Sequence, residues 1–129
     1  MHELSIATHI VSIASDHAAQ AGALRVRSVN LSIGALTCVS EEALRFSFDL
    51  VTQDTLLAGA ELHVRRVPLA IYCSKCDLIV DLPGIQLLKC PACATPSHDI
   101  RRGQELDIES IEIVEVEGPV EFGVPTDAP

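Results

Sequence analysis

Four of the five cysteines fall in two C-x-x-C pairs: Cys73-Ser-Lys-Cys76 and, thirteen residues later, Cys90-Pro-Ala-Cys93. Two residues between thiolates let one tight turn aim both sulfurs at a single ion, and backbone amides in such a turn can also point at the sulfurs. Two turns of this kind brought together supply four soft ligands in a tetrahedron, the closed geometry of structural zinc. A redox C-x-x-C pair, two disulfides or an iron centre are the other chemistries open to these residues. Two pairs at this distance favour zinc. The odd fifth cysteine, Cys38, and an opening that is not expected to be a secretory signal weigh against disulfides. With thiolate in all four positions no site is left open for catalysis, so the zinc is expected to be structural. An insert of about 30 residues can hardly fold on its apolar surface alone, and metal ligation must supply folding energy.

A second set of ligands stands at the start of the chain, Met1-His2-Glu3. Methionine removal generally requires a small second residue, so Met1 is expected to stay. Its free α-amine, the His2 amide nitrogen and the His2 imidazole can form fused chelate rings around one cation. The amide must lose its proton, which Ni²⁺ or Cu²⁺ promotes near neutral pH and Zn²⁺ does poorly. Nitrogen-rich planar sites suit Ni(II) or Cu(II), and Glu3 could fill a further position. On residue chemistry alone a histidine at position 2 is ordinarily incidental, and Glu3 also suits a helix start as a carboxylate.

The remaining candidates are single residues. His9 and His17 are eight apart, too far for an i, i+4 metal pair, and are expected at solvent or a helix edge. His63 sits on the polar parity of a strand. His98 follows the second cysteine pair by five residues and is either an auxiliary ligand or a solvated loop histidine. Cys38 is expected to be a small buried hydrophobe.

These groups need elements to hold them. Leu4, Ala7, Val11, Ala14 and Ala18 recur at helical spacing, flanked by Ile6, Ile10 and Ile13, and predict a helix over 4–21 lying against a sheet. Gly22 is its expected stop. Residues 24–33 read as a strand whose apolar parity switches, which predicts a bulge near Ser28 or a start after Leu24; Gly34 ends it. Ser40 can cap a second helix, with Glu41 and Glu42 in its first turn. Leu44, Phe48 and Val51 form its stripe, with Phe46 and Leu50 beside it, and it should fade by 55–59. Residues 60–67 alternate as a strand closed by Pro68, and 104–116 form another strand-like run. The cysteine segment between them reads as an insert in a hairpin connection. Within it, the alternating Leu78, Val80 and Leu82 are expected to form a hairpin joining the two cysteine turns, with Pro83-Gly84 as its turn signal.

The expected class is therefore α+β: a small sheet of about three strands packed with two helices, plus an inserted zinc-ribbon-like domain. The division is 1–69 with 103–117 as a discontinuous domain, 70–102 as the zinc domain and 118–129 as a flexible tail.

Composition narrows the functions. Lys and Arg total 9 against 18 Asp and Glu, a formal charge of −9, and that field repels phosphate backbones. Only 3% of residues are aromatic, too few to stack on bases. No stretch approaches the roughly 20 apolar residues of a membrane span. Nucleic-acid and membrane partners are not expected, and the cytosol is the expected compartment. No nucleophile–base constellation or phosphate-cradling glycine loop is legible, so an enzyme is not expected.

The opening Met1-His2-Glu3-Leu4-Ser5, the helix–strand–helix–strand order, the inserted cysteine pairs and the returning Gly103-Gln104-Glu105-Leu106 together resemble HypA/HybF, nickel-insertion metallochaperones of [NiFe]-hydrogenase maturation. Val29-Asn30-Leu31-Ser32-Ile33-Gly34 and Ser40-Glu41-Glu42 add to the resemblance, which covers residues 1 to about 117. It implies an α/β nickel-binding lobe and a zinc lobe. By position it makes His2 the key nickel ligand, with the Met1 amine contributing and Glu3 assisting, and it gives zinc to Cys73, Cys76, Cys90 and Cys93. It implies a HypB-type GTPase and the hydrogenase large subunit as partners, with urease maturation factors for some members. Only His98 could serve as a histidine flanking the cysteine pairs. A homodimer exchanging elements near Pro68 is compatible with a discontinuous domain. The competing expectation is a zinc-ribbon interaction or regulatory module without transferable metal, which would be indifferent to His2.

Overall fold

The computed structural model describes residues 2–115. It runs α1 (Glu3–Gln20), β1 (Arg25–Gly34), a short 3-10 turn (Ala35–Thr37), α2 (Glu41–Val51), β2 (Glu61–Val67), β3 (Ala70–Cys73), β4 (Leu78–Asp81), β5 (Ile100–Arg102) and β6 (Leu106–Val114). No described helix is long and apolar enough to cross a membrane.

The strands form two three-stranded sheets, ordered β2-β1-β6 and β4-β3-β5. β1 is the central strand of the first. It runs parallel to β2 from Ser28↔Glu61 to Gly34↔Val67 and antiparallel to β6 from Arg25↔Val114 to Ile33↔Leu106. Parallel neighbours cannot be joined by a tight turn, and α2 supplies the crossover. The register against β6 slips between Val26 and Ser28, where the apolar parity changes, and again at Asn30–Leu31.

This order corrects one expectation. β2 and β6 do not form a hairpin with the cysteine segment in its connection; they pair with opposite edges of β1. The segment therefore carries the chain from one edge of the sheet to the other.

Both helices build the main core. α1 buries Ile6, Ala7, Ile10, Val11, Ala14 and Ala18 against Val26, Val29, Leu31 and Ile33 of β1 and Leu44 and Phe48 of α2. Its small residues allow close approach of the neighbouring backbone. Leu4 and Ile13, which the spacing counted with the apolar face, are about half exposed, as is Leu50 of α2, and Phe46 is about two-thirds exposed. Ser40 caps α2, its Oγ accepting the Ala43 N–H at 3.2 Å, a bond worth about 1 kcal/mol. After Val51 the chain continues in turns up to β2.

The second sheet has a small core of Leu69, Ile71 and Leu82, with Leu36, Val80, Leu88 and Ile100 partly buried on it. Leu36 lies in the turn after β1, so the first sheet contributes to the second cluster. Two glycines make the junction possible. A Cβ on Gly34 would stand 2.2 Å from the Gly103 carbonyl carbon, and one on Gly103 (φ 117°) 2.9 Å from Leu69 Cα. The Leu36 N–H donates to the Gly103 carbonyl at 2.8 Å and the Gly34 N–H to that of Glu105 at 2.7 Å. Cysteine-segment exit, β1 and β6 thereby meet backbone to backbone.

Candidate metal centre

β3 delivers Cys73 at its last residue, and the turn into β4 carries Cys76. The two strands pair antiparallel from Ala70↔Asp81 to Cys73↔Leu78. The hairpin thus surrounds the first cysteine turn instead of joining the two turns. Leu78 and Val80 belong to that hairpin, and Pro83-Gly84 marks its end. The second turn, Cys90 to Cys93, returns through the Lys89↔Pro96 bridge. Each turn ends on a residue in the left-handed region directly after its second cysteine, Asp77 (φ 54°) and Ala94 (φ 62°). That reversal folds the chain back over its own sulfurs. The Cys76 N–H donates to Cys73 Sγ at 3.4 Å, as the two-residue spacing anticipated.

The four sulfurs lie within 4.8 Å of one another; Cys73 and Cys93 are 3.5 Å apart, Cys76 and Cys90 3.9 Å. Metal–sulfur bonds of about 2.3 Å arranged tetrahedrally place sulfurs about 3.8 Å apart. The donor set suits a tetrahedral thiolate-bound ion, with sulfurs spaced close to these distances. Cys73 and Cys90 are buried, while Cys76 and Cys93 are half-buried.

The electrostatics point the same way. Four thiols this close cannot all ionise without a cation between them. Hydrogen bonding with Cys93, Cys73 and Cys90 pushes the Cys76 thiol up to about 12. Cys93 is drawn down to about 6 by hydrogen bonds from the Thr95 hydroxyl and backbone, the hydroxyl oxygen lying 3.1 Å from its sulfur. One thiolate is thus favoured first, and an arriving cation displaces the other protons. Thr95 was not singled out from sequence; a hydroxyl residue two positions past a cysteine turn was the available signal.

Around the cluster, Ser97 Oγ donates to the Tyr72 carbonyl at 2.7 Å and the Tyr72 hydroxyl donates to Asp77. The Arg101 guanidinium lies 4.8 Å from the Tyr72 ring centre and is held by Asp99. These contacts tie the second turn's exit to β3. His98 is exposed, just before β5, and does not join the sulfurs.

At the chain start, Met1 lies outside the described residues. His2 is exposed and takes the N-cap position of α1 with extended backbone (φ −84°, ψ 114°), its carbonyl accepting the Ile6 N–H at 3.2 Å. Glu3 opens the helix, and its carboxylate accepts the Ser40 N–H at 3.0 Å. That bond holds the Glu3 carboxyl below its ordinary range. It also ties the start of α1 to the cap of α2, a link between residues 37 apart that no local pattern announces. Cys38, two residues before Ser40, is exposed with φ 56°. The expectation of a buried hydrophobe fails because the left-handed turn after the 3-10 segment rotates it outward while Val39 takes the buried position. His9 and His17 are exposed as expected. His63 is exposed too, with Asn30 at 3.0 Å and Glu61 at 2.9 Å from its ring nitrogens.

Comparison with known proteins accords with this geometry. Residues 1–113 match the family model described as "Hydrogenase/urease nickel incorporation, metallochaperone, hypA". The chain is 48% identical over 112 residues to the hydrogenase maturation factor HypA of Chloroflexus aurantiacus, covering 87% of this chain and 98% of that one. It is 41% identical over 113 residues to HybF of Salmonella typhimurium, covering 88% and 99%. Among solved structures, the nickel metallochaperone HypA from Helicobacter pylori superposes with a TM-score of 0.61 at 18% identity, over 88% of this chain and 98% of that one; at that identity the likeness concerns the fold.

Proposed function

The chain belongs to the HypA family of hydrogenase and urease nickel-incorporation metallochaperones, and on that footing we propose that it binds Ni(II) at its N-terminus and delivers it during [NiFe]-hydrogenase maturation. The family is one of maturation factors, not of catalysts. The observation that carries the reading is the extent of the match, residues 1–113: it includes both Met1-His2-Glu3 and all four cysteines of the cluster.

In this reading nickel is cargo. The Met1 amine, the His2 amide and the His2 imidazole take it in fused rings, and Glu3 assists. Glu3 is engaged with the Ser40 N–H, so a carboxylate that turned to nickel would release the cap of α2. Loading would thus carry a modest counterforce, which suits an ion that must be handed on.

Cys73, Cys76, Cys90 and Cys93 hold zinc, whose charge lets all four thiolates coexist and so closes residues 70–102 into a lobe. His98 stands by as an auxiliary group. The remaining 1–69 and 103–117 form the nickel-binding lobe. The work is done in the cytoplasm with the hydrogenase maturation machinery, a HypB-type GTPase and the hydrogenase large subunit as partners, and urease maturation factors as further candidates.

The test is titration calorimetry of nickel into wild type, His2→Ala and a form extended by one residue before Met1, with circular dichroism as fold control. Both changes should abolish nickel binding while the fold and one zinc per chain persist. Binding should weaken as pH falls, because protons compete with nickel for the ligand nitrogens. Equal nickel affinity in all three forms would leave a zinc-bearing interaction module.

A further inference from the structure

Four large apolar side chains stand in water within one short stretch of the cysteine segment: Leu78, Ile79, Ile85 and Leu87 are 38–67% exposed. Beside them a groove of about 580 Å³ runs among Leu82, Pro83, Ile85, Leu87, Lys89 and Pro91. Both ends of its lining are anchored. Leu82 is buried in the small core, and its N–H donates to the Leu69 carbonyl at 2.8 Å. Lys89 bridges to Pro96, and the Cys90 N–H donates to the Thr95 carbonyl at 2.9 Å. The groove is therefore preformed, which lowers the ordering cost of filling it. Clustered apolar exposure of this kind marks a site of association.

The groove continues β4, since Leu82 follows Asp81 directly in the chain. β4 pairs with β3 on one side only and is an edge of its sheet. An edge presents unpaired N–H and C=O groups, which an extended segment satisfies by adding as a further strand. A segment that pairs with β4 and runs on past Asp81 meets the groove.

Charge sets the sign of the occupant. The only two lysines of the protein, Lys75 and Lys89, are exposed, and each directly precedes a cysteine of the cluster. The Cys76 and Cys90 sulfurs, 3.9 Å apart, bring those two stretches together. Among the described residues neither lysine has an ion-pair partner. The two acids between them in sequence are engaged: Asp77 accepts from the Tyr72 hydroxyl and Asp81 is paired with Arg102. A chain of net charge −9 thus keeps two uncommitted ammonium groups beside an apolar groove, and carboxylates complement them. A phosphate backbone would meet the acidic remainder of the chain along its length, and no ring lines the groove for a base to stack on. A short acidic peptide makes only the local contact.

We infer that the groove of residues 82–91, with the β4 edge beside it, docks an extended segment of a different protein in which acidic residues alternate with large apolar ones. The inference does not rest on the nickel reading, since none of these residues belongs to the N-terminal ligand set.

The test is fluorescence anisotropy of three labelled octapeptides with the zinc-loaded full chain: alternating leucine and glutamate, alternating serine and glutamate, and alternating leucine and serine. The leucine–glutamate peptide should bind, and the other two should bind at least about tenfold more weakly. Leu87→Ser removes an exposed wall of the groove and should weaken the leucine–glutamate peptide about tenfold. Lys89→Glu should weaken it by a similar factor, remove most of its salt dependence and leave the leucine–serine peptide unmoved. Zinc content and melting temperature equal to those of wild type separate loss of the groove from loss of the metal centre. His2→Ala should leave peptide affinity unchanged, so failure of the nickel reading and failure of this one are distinguishable. Absence of leucine–glutamate binding overturns the proposal, whether the groove is filled by the chain itself, by a second copy or by nothing. Binding indifferent to both Leu87→Ser and Lys89→Glu overturns it in favour of another surface. Attachment to phosphatidylglycerol vesicles that Leu87→Ser abolishes, without peptide binding, overturns it in favour of a membrane.

Discussion

The two sheets are held together by different physics. The β2-β1-β6 sheet and its helices share a core of fifteen buried apolar residues, whereas the β4-β3-β5 sheet has three. Burial at about 25 cal/mol per Å² can carry the first; it cannot carry the second, where four sulfurs within 4.8 Å take its place. One region is folded by excluding water; in the other, the proposed chelation by four cysteines takes that role. The lesson is that removing metal and removing a core side chain should damage opposite halves of the same small chain.

The largest effect should come from the sulfurs. Cys73→Ala or Cys93→Ala, or stripping the metal with a strong chelator, removes a binding energy on the order of 10 kcal/mol. Hydrogen exchange should then rise through residues 70–102 while β1, β6 and α1 stay protected. Full zinc retention with an unchanged melting curve in a mutant lacking all four cysteines would refute chelation as the organising force.

Phe48→Ala tests the other half. Phe48 is fully buried beneath α1 and the sheet, and its truncation should cost about 3–5 kcal/mol. Chemical denaturation should show the loss, and zinc analysis should still find one ion per chain. Loss of zinc with the core would show the two regions to be one cooperative unit, joined through Leu36 and the Gly34–Gly103 contact.

A smaller effect sharpens the comparison within the cysteine turns. Ala94 sits at φ 62°, a conformation that costs an L-residue roughly 1 kcal/mol. Ala94→Gly should relieve it and slow zinc release to a chelator by a few-fold at most. The equivalent change at Asp77 should gain nothing, because it discards the bond from the Tyr72 hydroxyl.

The smallest effect concerns acid. Glu3 has its carboxyl lowered by the Ser40 N–H, so its folded pKa lies below its unfolded one. The stabilisation is present above the ordinary value of 4.5 and is lost as pH falls through the lowered one. Glu3→Gln should flatten this part of the acid limb of the melting temperature and leave the curve near pH 7 almost unmoved. A parallel displacement of the whole curve would mean that Glu3 acts through something other than its charge.

Much of this molecule was legible from local chemistry. Two C-x-x-C turns announce a four-sulfur site because two residues is the spacing at which one turn aims both side chains at one point. The α1 and α2 periodicities, the Ser40 cap and the parity switch near Ser28 were legible for the same reason: each is set by neighbours within a few residues. Tertiary structure alone decided what depends on distant partners. β2 and β6 flank β1 because a parallel pair needs a crossover while an antiparallel edge accepts a returning strand. Leu4, Ile13 and Phe46 have apolar side chains at helical spacing yet face outward, since a helix buries only the arc its neighbours cover. Glu3 opens a helix, as its carboxylate suits, and the fold also engages it with a backbone amide 37 residues away. Spacing fixes which side chains one turn can gather; which remote group a side chain meets depends on packing the whole chain.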